Sequence, residues 1–190
     1  MRIMYLQSKL ASVALIVLLA LVAVGNSFAS DSIVQVANVD KQVQLLMSDG
    51  SLIGLKVSPA VKNVFYDRNK HYVNGDPYIA VFQVLASKSR GAASFCGAGR
   101  EIWLHVYKVI SAELSMQKKI LVDSCLRPVS MASQNSGEAN QDTDFSSVQW
   151  RADGFSIEWF VNTDSAGRAL SSTRYVLRDA VFSPVEVLSK

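Results

Sequence analysis

Residues 147–161, SVQWRADGFSIEWFV, carry the clearest structural signal in the chain, because two alternating apolar runs flank an Asp-Gly pair. Glycine accepts the positive φ angle of a tight turn, so this pattern predicts a β-hairpin. Successive side chains of a strand point to opposite faces, which places Phe155, Ile157, Trp159 and Val161 on one face of the second strand. The stretch therefore predicts an antiparallel unit with one apolar face.

The same alternation recurs on both sides of this hairpin. A second Asp-Gly pair, Asp49-Gly50, separates two short apolar runs and predicts another hairpin. Pro184 in the last apolar run removes a backbone donor and predicts an edge strand there. The further strand-like runs are 33–39, 78–86, 102–110, 119–125, 170–177 and 181–187. We predict an all-β fold with at most minor helix, an antiparallel sandwich or barrel of about eight or nine strands.

The first 29 residues have the three parts of a secretory signal peptide. Arg2 and Lys9 are their only charged residues, residues 10–24 are apolar except for Ser12, and Ser27-Phe28-Ala29 provides a small-x-small exit. We predict cleavage after Ala29 and a periplasmic or secreted product. The alternative is an uncleaved membrane anchor, which would need roughly 18 or more consecutive apolar residues.

Cleavage would leave residues 30–190, a length that predicts a single domain. It would remove two cations and no anion, and so lower the formal net charge from +3 to +1. A nucleic-acid-binding domain is expected to carry a basic surface. The nearly neutral product therefore predicts no nucleic-acid partner and, after cleavage, no membrane association.

The two cysteines, Cys96 and Cys125, both lie after the predicted cleavage site. Exported proteins meet an oxidising compartment, so an even number of cysteines predicts an intramolecular disulfide. Closing a loop of this length stabilises a fold by roughly 3–4 kcal/mol in the chain-entropy treatment. A free reactive thiol and an intermolecular bridge are the alternatives.

Residues 128–145 form the most polar stretch of the predicted domain, rich in Ser, Asn, Gln and Asp. Such a composition buries too little apolar surface to offset the loss of chain entropy on ordering. We therefore predict a mobile polar surface loop near 130–144, and not a linker, because the strand pattern resumes after it.

Residues that could carry chemistry are few. The only histidines are His71 and His105, whereas a zinc site needs three or four His, Cys or acidic ligands. The spacing predicts a half-exposed strand position for His105 and a solvated loop for His71. No Gly-x-Ser-x-Gly nucleophile turn occurs in the sequence. We predict no catalytic residue, no metal site and no cofactor.

Aromatic side chains are the best candidates for a binding surface. Trp and Tyr are favoured at recognition surfaces, but they are also favoured in β cores. Trp150 and Trp159 flank the first hairpin and are placed to meet across it. The candidate binding residues are Trp103, Tyr107, Trp150 and Trp159.

The segment Phe95-Cys96-Gly97-Ala98-Gly99-Arg100-Glu101, followed by a β run and then Asp123-Ser124-Cys125-Leu126, resembles a group of small uncharacterised secreted bacterial proteins. Their shared pattern is Cys-Gly-Ala-Gly-x-Glu, a β segment, then Ser-Cys. The resemblance covers about thirty residues. It implies a disulfide-closed hairpin and a bacterial, periplasmic setting, and it implies no activity.

These observations predict a non-enzymatic periplasmic or secreted binding protein, an inhibitor or immunity-type protein that docks another protein. Loops on rigid β scaffolds commonly carry such recognition. The first alternative is a β-barrel carrier of a small apolar ligand or glycan, which would need a cavity of several hundred cubic ångströms lined by Trp and Phe. The second alternative is a hydrolase of the cell envelope.

Overall fold

The computed structural model of the chain describes residues 32–35, 42–87 and 99–190, and for 32–35 it describes the backbone alone. These residues form the predicted all-β fold, with two single-turn 3₁₀ helices at Ser133–Asn135 and Gln141–Thr143. The strands are β1 (Ser32–Gln35), β2 (Gln42–Leu46), β3 (Leu52–Lys56), β4 (Val61–Tyr66), β5 (His71–Val73), β6 (Asp76–Ala86), β7 (Arg100–Ile110), β8 (Glu113–Ser124), β9 (Val129–Met131), β10 (Val148–Arg151), β11 (Gly154–Val161), β12 (Leu170–Arg178) and β13 (Val181–Leu188).

The predicted number of eight or nine strands was too low. β5 and β9 have three residues each, which is too short for an alternating pattern to be recognised. Residues 111–118 were predicted to connect two strands, but β8 begins at Glu113 after a tight turn at Ser111-Ala112, where Ser111 has φ +59°. The ambiguous stretch 57–64 contributes β4.

All strand pairs are antiparallel, and eleven strands belong to one sheet. Its order is β1-β4-β6-β7-β8-β9-β11-β12-β13, with β5 added beside β6 and β10 beside β11. β2 and β3 form a separate two-stranded sheet. The strands of the described part of the chain form no closed barrel. Of the two predicted architectures, the structure therefore has the sandwich.

β6 and β7 are buried on both faces and separate two hydrophobic cores. The larger core combines one face of these strands with β9–β13, and its fully buried residues include Phe82, Leu104 and Phe155. The smaller core lies between the opposite face and the β2–β3 sheet, where Leu45 and Val81 are fully buried. The β2–β3 sheet is thus a second layer over the middle of the main sheet.

Both Asp-Gly hairpins are present, and in the β10–β11 hairpin close packing against β12, not the turn itself, requires the glycine at position 154. Arg151 pairs with Gly154, which places Ala152 and Asp153 at the tip. Gly154 has φ +156°, and a Cβ atom there would lie 1.9 Å from the carbonyl oxygen of Tyr175 on β12. Only glycine allows β12 to approach this closely.

The polar segment near 130–144 is held more firmly than predicted. Met131, Ser133 and Gln134 are buried, and the exposed part is confined to residues 135–140. The Ser133 N–H donates to Ser147 Oγ (2.8 Å), and Ser133 Oγ donates to the Asp144 carbonyl (2.8 Å). Small polar side chains that satisfy one another can be buried at little cost, which the composition argument overlooked.

Residues Asp31–Lys190 form one compact unit. The predicted signal peptide, residues 1–29, lies outside the described residues. Within the described part of the chain, no helix has the length and apolar character needed to cross a bilayer.

Candidate functional site

The four aromatic residues predicted to form a binding surface do not converge. Trp159 is a core residue, 8% exposed, and its Nε1 donates to Thr173 Oγ1 at 2.9 Å. Trp150 lies opposite Phe155, whereas Trp159 lies opposite Met131, so the two tryptophans do not meet across the hairpin as predicted.

Trp150 instead packs against His71, which belongs to β5 and not to the solvated loop that the sequence predicted. The two rings are parallel within 3°, with centroids 4.5 Å apart. His71 Nε2 is 2.5 Å from Asp67 Oδ2. Burial tends to raise the pKa of Asp67, but hydrogen bonds from His71 and Asn69 outweigh it and lower that pKa below its usual value.

Tyr107 and His105 lie on the opposite side of the main sheet, in a buried polar chain under the smaller core. Gln83 Nε2 donates to Tyr107 Oη at 3.1 Å, and Tyr107 Oη is 3.2 Å from His105 Nδ1. Burial raises the pKa of Tyr107 to about 12. His105 is 7% exposed, not half-exposed as predicted, and burial together with the charge of Lys119 lowers its pKa to about 4. Both rings are therefore uncharged near neutral pH.

The direction of the hydrogen bonds in this chain follows from the donors available. An amide NH₂ can only donate, so Tyr107 Oη accepts from Gln83 and has its own hydrogen free for His105 Nδ1. The hydrogen of the neutral imidazole then lies on Nε2. His105 Nε2 is buried and has no hydrogen-bond partner among the described residues.

Trp103, the next inward-facing position on β7, is half-buried. Lys119 Nζ lies 4.4 Å from the centroid of its ring, and its Nε1 donates to Glu101 Oε2 at 3.4 Å. Ser124 Oγ donates to the other Glu101 oxygen at 3.3 Å. Glu101 and Ser124 pair across β7 and β8.

Glu101 ends the Cys-Gly-Ala-Gly-x-Glu part of the pattern quoted above, and Ser124 begins its Ser-Cys part. The described residues of the two parts therefore lie side by side on β7 and β8. Cys96 lies outside the described residues, so the disulfide stays a prediction. Within the described part of the chain there is no free cysteine.

A groove of about 650 Å³ runs between β3 and the β7–β8 turn, with Tyr107 contributing to its wall; we call it the strand-edge groove. Its main lining residues are Gln42, Gln44, Gly54, Lys56, Glu113 and Leu114. A second groove of about 740 Å³ lies at the other end of the main sheet, beside Pro59, Leu85 and Leu126. Among the described residues, neither groove is lined by the Trp and Phe side chains that the carrier alternative required.

The hydrogen bonds of β2 show which backbone groups of β3 face the strand-edge groove. Leu46 N–H donates to Tyr66 Oη at 3.0 Å, so Leu46 and its partner Leu52 do not bond to each other. Bonded and non-bonded pairs alternate in an antiparallel ladder. The pairs Gln44–Gly54 and Gln42–Lys56 are therefore also non-bonded. The N–H and C=O groups of Leu52, Gly54 and Lys56 thus point away from β2.

No other described strand pairs with this edge of β3. Beside the edge, β8 continues under the smaller core with Met116 opposite Tyr107 and Leu114 opposite Val109. Met116 is 57% exposed, and Leu114 is partly buried against the smaller core. The strand-edge groove therefore combines a row of backbone groups that no described strand pairs with and the apolar side chain of Leu114, and the exposed Met116 lies two residues further along β8. No sequence pattern predicts this groove, because β3 and β8 are far apart in the chain.

Among the described residues, no three His, Cys, Asp or Glu side chains are grouped so that they could hold a metal ion. Comparison with known proteins gave no match to a family model, a curated protein or a solved structure.

Proposed function

We propose that this chain is a non-enzymatic protein-binding domain that works outside the cytoplasm as an inhibitor or immunity-type protein. The observation that carries the proposal is the strand-edge groove, where backbone groups of β3 that no described strand pairs with lie beside Leu114 of β8, close to the exposed Met116. Export is supported by the leader-like residues 1–29, and in an oxidising compartment Cys96 and Cys125 would form a covalent brace.

The chemistry of the groove suits a polypeptide better than a small apolar ligand. Its walls carry amide and charged side chains from Gln42, Gln44, Lys56 and Glu113, which a hydrocarbon would leave without hydrogen bonds. Met116 supplies an exposed apolar side chain beside these polar groups. An apolar centre with a polar rim is the usual composition of a protein–protein interface.

The test is a selection of random twelve-residue peptides displayed on phage, with the purified protein immobilised. Selected peptides are then titrated against Met116→Glu, which places a charge on β8 two residues beyond Leu114 of the groove wall. The matched control is Phe160→Glu, because Phe160 is 62% exposed on β11, away from the groove residues, and receives the same change.

We expect selected peptides to lose at least about tenfold in affinity with Met116→Glu, because burying an unpaired carboxylate opposes binding by more than 1 kcal/mol. Phe160→Glu should leave their affinity unchanged. If no selected peptide distinguishes the two variants, the groove is not a protein-binding site and the proposal fails.

A further inference from the structure

We infer that the strand-edge groove takes its partner as an added β-strand, an extended segment of another protein that pairs with β3 and covers β8. This inference rests on the proposed function and specifies how the same site recognises its partner. The recognised chemistry is an extended backbone whose every second side chain is apolar.

β3 presents a row of backbone groups along one edge. Leu52, Gly54 and Lys56 each direct an N–H and a C=O away from β2, as the alternation of the ladder requires. Groups two residues apart along a strand are separated by roughly 6.5–7 Å, which is the repeat that an incoming strand would match. An exposed row of this kind is a template for pairing with another chain.

The β2–β3 layer leaves part of β8 uncovered. β2 and β3 pack on β4, β6 and β7 in the smaller core, and β3 also contacts β8, where Leu114 is partly buried. Met116, two residues further along β8, is nevertheless 57% exposed. A strand added to β3 would lie over β8. Its inward side chains would contact Leu114 and Met116, which is why alternate apolar residues are expected.

Two other strand edges are closed. On β13, Lys118 Nζ donates to the outward carbonyl of Phe182 at 2.9 Å, and Pro184, two residues on, has no N–H to offer. On β2, the outward N–H of Leu46 is bonded to Tyr66 Oη. The edge of β3 has no such cap in the described chain, and Gly54 at its centre adds no side chain to obstruct an approach.

The test uses the phage-selected twelve-residue peptides as probes, each synthesised with single N-methyl groups along its backbone. An N-methyl group removes one donor and leaves the side chains in place. Strand addition predicts a period of two: methylation at every second residue should weaken binding about five- to tenfold, the value of a typical backbone hydrogen bond, and methylation between them should have little effect.

The matching protein variants are Gly54→Pro and Gly54→Ala. Proline removes the central N–H of the edge, whereas alanine keeps it. The added Cβ would meet the far ends of two flexible side chains, Gln42 Nε2 at 2.9 Å and Gln44 Nε2 at 3.7 Å. We expect Gly54→Pro to weaken peptide binding at least about fivefold through loss of that donor. Gly54→Ala should bind like the original protein.

The outcomes separate this inference from the proposed function. Peptides that are sensitive to Met116→Glu but show no two-residue period on the unaltered protein would overturn strand addition and leave the binding function standing. If the affinity of the selected peptides does not change with Met116→Glu, both strand addition and the proposed binding function are wrong. If the purified protein instead dimerises, and Gly54→Pro abolishes the dimer, the edge belongs to a second copy of the chain and the assignment to another protein is wrong.

Discussion

His105 makes the stability of this domain depend on pH. Burial and Lys119 lower its pKa from 6.5 to about 4 in the folded state. Between these values the unfolded chain binds a proton at this position and the folded chain does not. Acidification from neutral pH therefore favours unfolding, and the effect levels off below the folded-state pKa.

The magnitude follows from the two pKa values. A difference of 2.5 pKa units corresponds to about 3 kcal/mol of unfolding free energy once both states are protonated. At pH 5 the unfolded histidine is almost fully charged and the folded one mostly neutral, so about 2 kcal/mol is already lost relative to pH 8. That is a large fraction of the stability of a typical domain.

The perturbation is His105→Leu, which keeps an apolar side chain in the buried site and removes the titration. Urea unfolding followed by tryptophan fluorescence at pH 8, 7, 6 and 5 would give the free energy of unfolding of each protein. We expect the original protein to lose about 2 kcal/mol more than His105→Leu between pH 8 and 5, whatever their difference at pH 8.

The chain provides its own control, because His71 is the only other histidine. His71→Gln leaves the buried imidazole of His105 in place and should therefore retain the loss of stability that His105 causes. If His105→Leu and the original protein have parallel pH dependences, the imidazole is not held neutral by burial and the assignment of its hydrogen to Nε2 fails with it.

Three further changes test the packing. Ala180→Gly should stabilise the protein by about 0.5–1 kcal/mol and raise its melting temperature, because Ala180 has φ +62° in the β12–β13 turn. Gly154→Ala should destabilise by more than about 2 kcal/mol in urea unfolding, since its Cβ would collide with backbone on β12; near-wild-type stability would refute that close approach. Arg100→Ala, which breaks the half-exposed pair with Asp142, should cost less than about 1 kcal/mol overall. It should nevertheless speed limited proteolysis within residues 135–140, and unchanged cleavage would show that the pair does not hold that segment.

The local structure was largely predictable because it depends on neighbours in sequence. The Asp-Gly pairs and their alternating flanks identified both hairpins, and Pro184 identified the edge strand, since each signal acts within a few residues. Short strands such as β5 were not predicted, because three residues are too few to show the alternation of apolar and polar side chains. Their position is set by pairing with β6.

The candidate site was not predictable in the same way. Trp159 and Tyr107 are both aromatic residues in alternating strand patterns, yet Trp159 is inside the larger core and Tyr107 contributes to the wall of a groove. Whether such a residue is buried or lines a groove depends on which layer of the sandwich covers its strand. The strand-edge groove itself depends on an edge of β3 that no other described strand pairs with. Sequence patterns report which residues are apolar, but not which edge of a sheet is left unpaired.

The unequal edges of the sandwich also limit how copies of the chain could join to one another. An endless head-to-tail fibre needs two different, complementary surfaces on every copy, so that one surface of each molecule binds the other surface of the next. Here Lys118 and Pro184 disable the terminal strand as a partner for the open edge of the next molecule. An array that joined the edge of β3 in one molecule to β13 in the next would therefore not propagate.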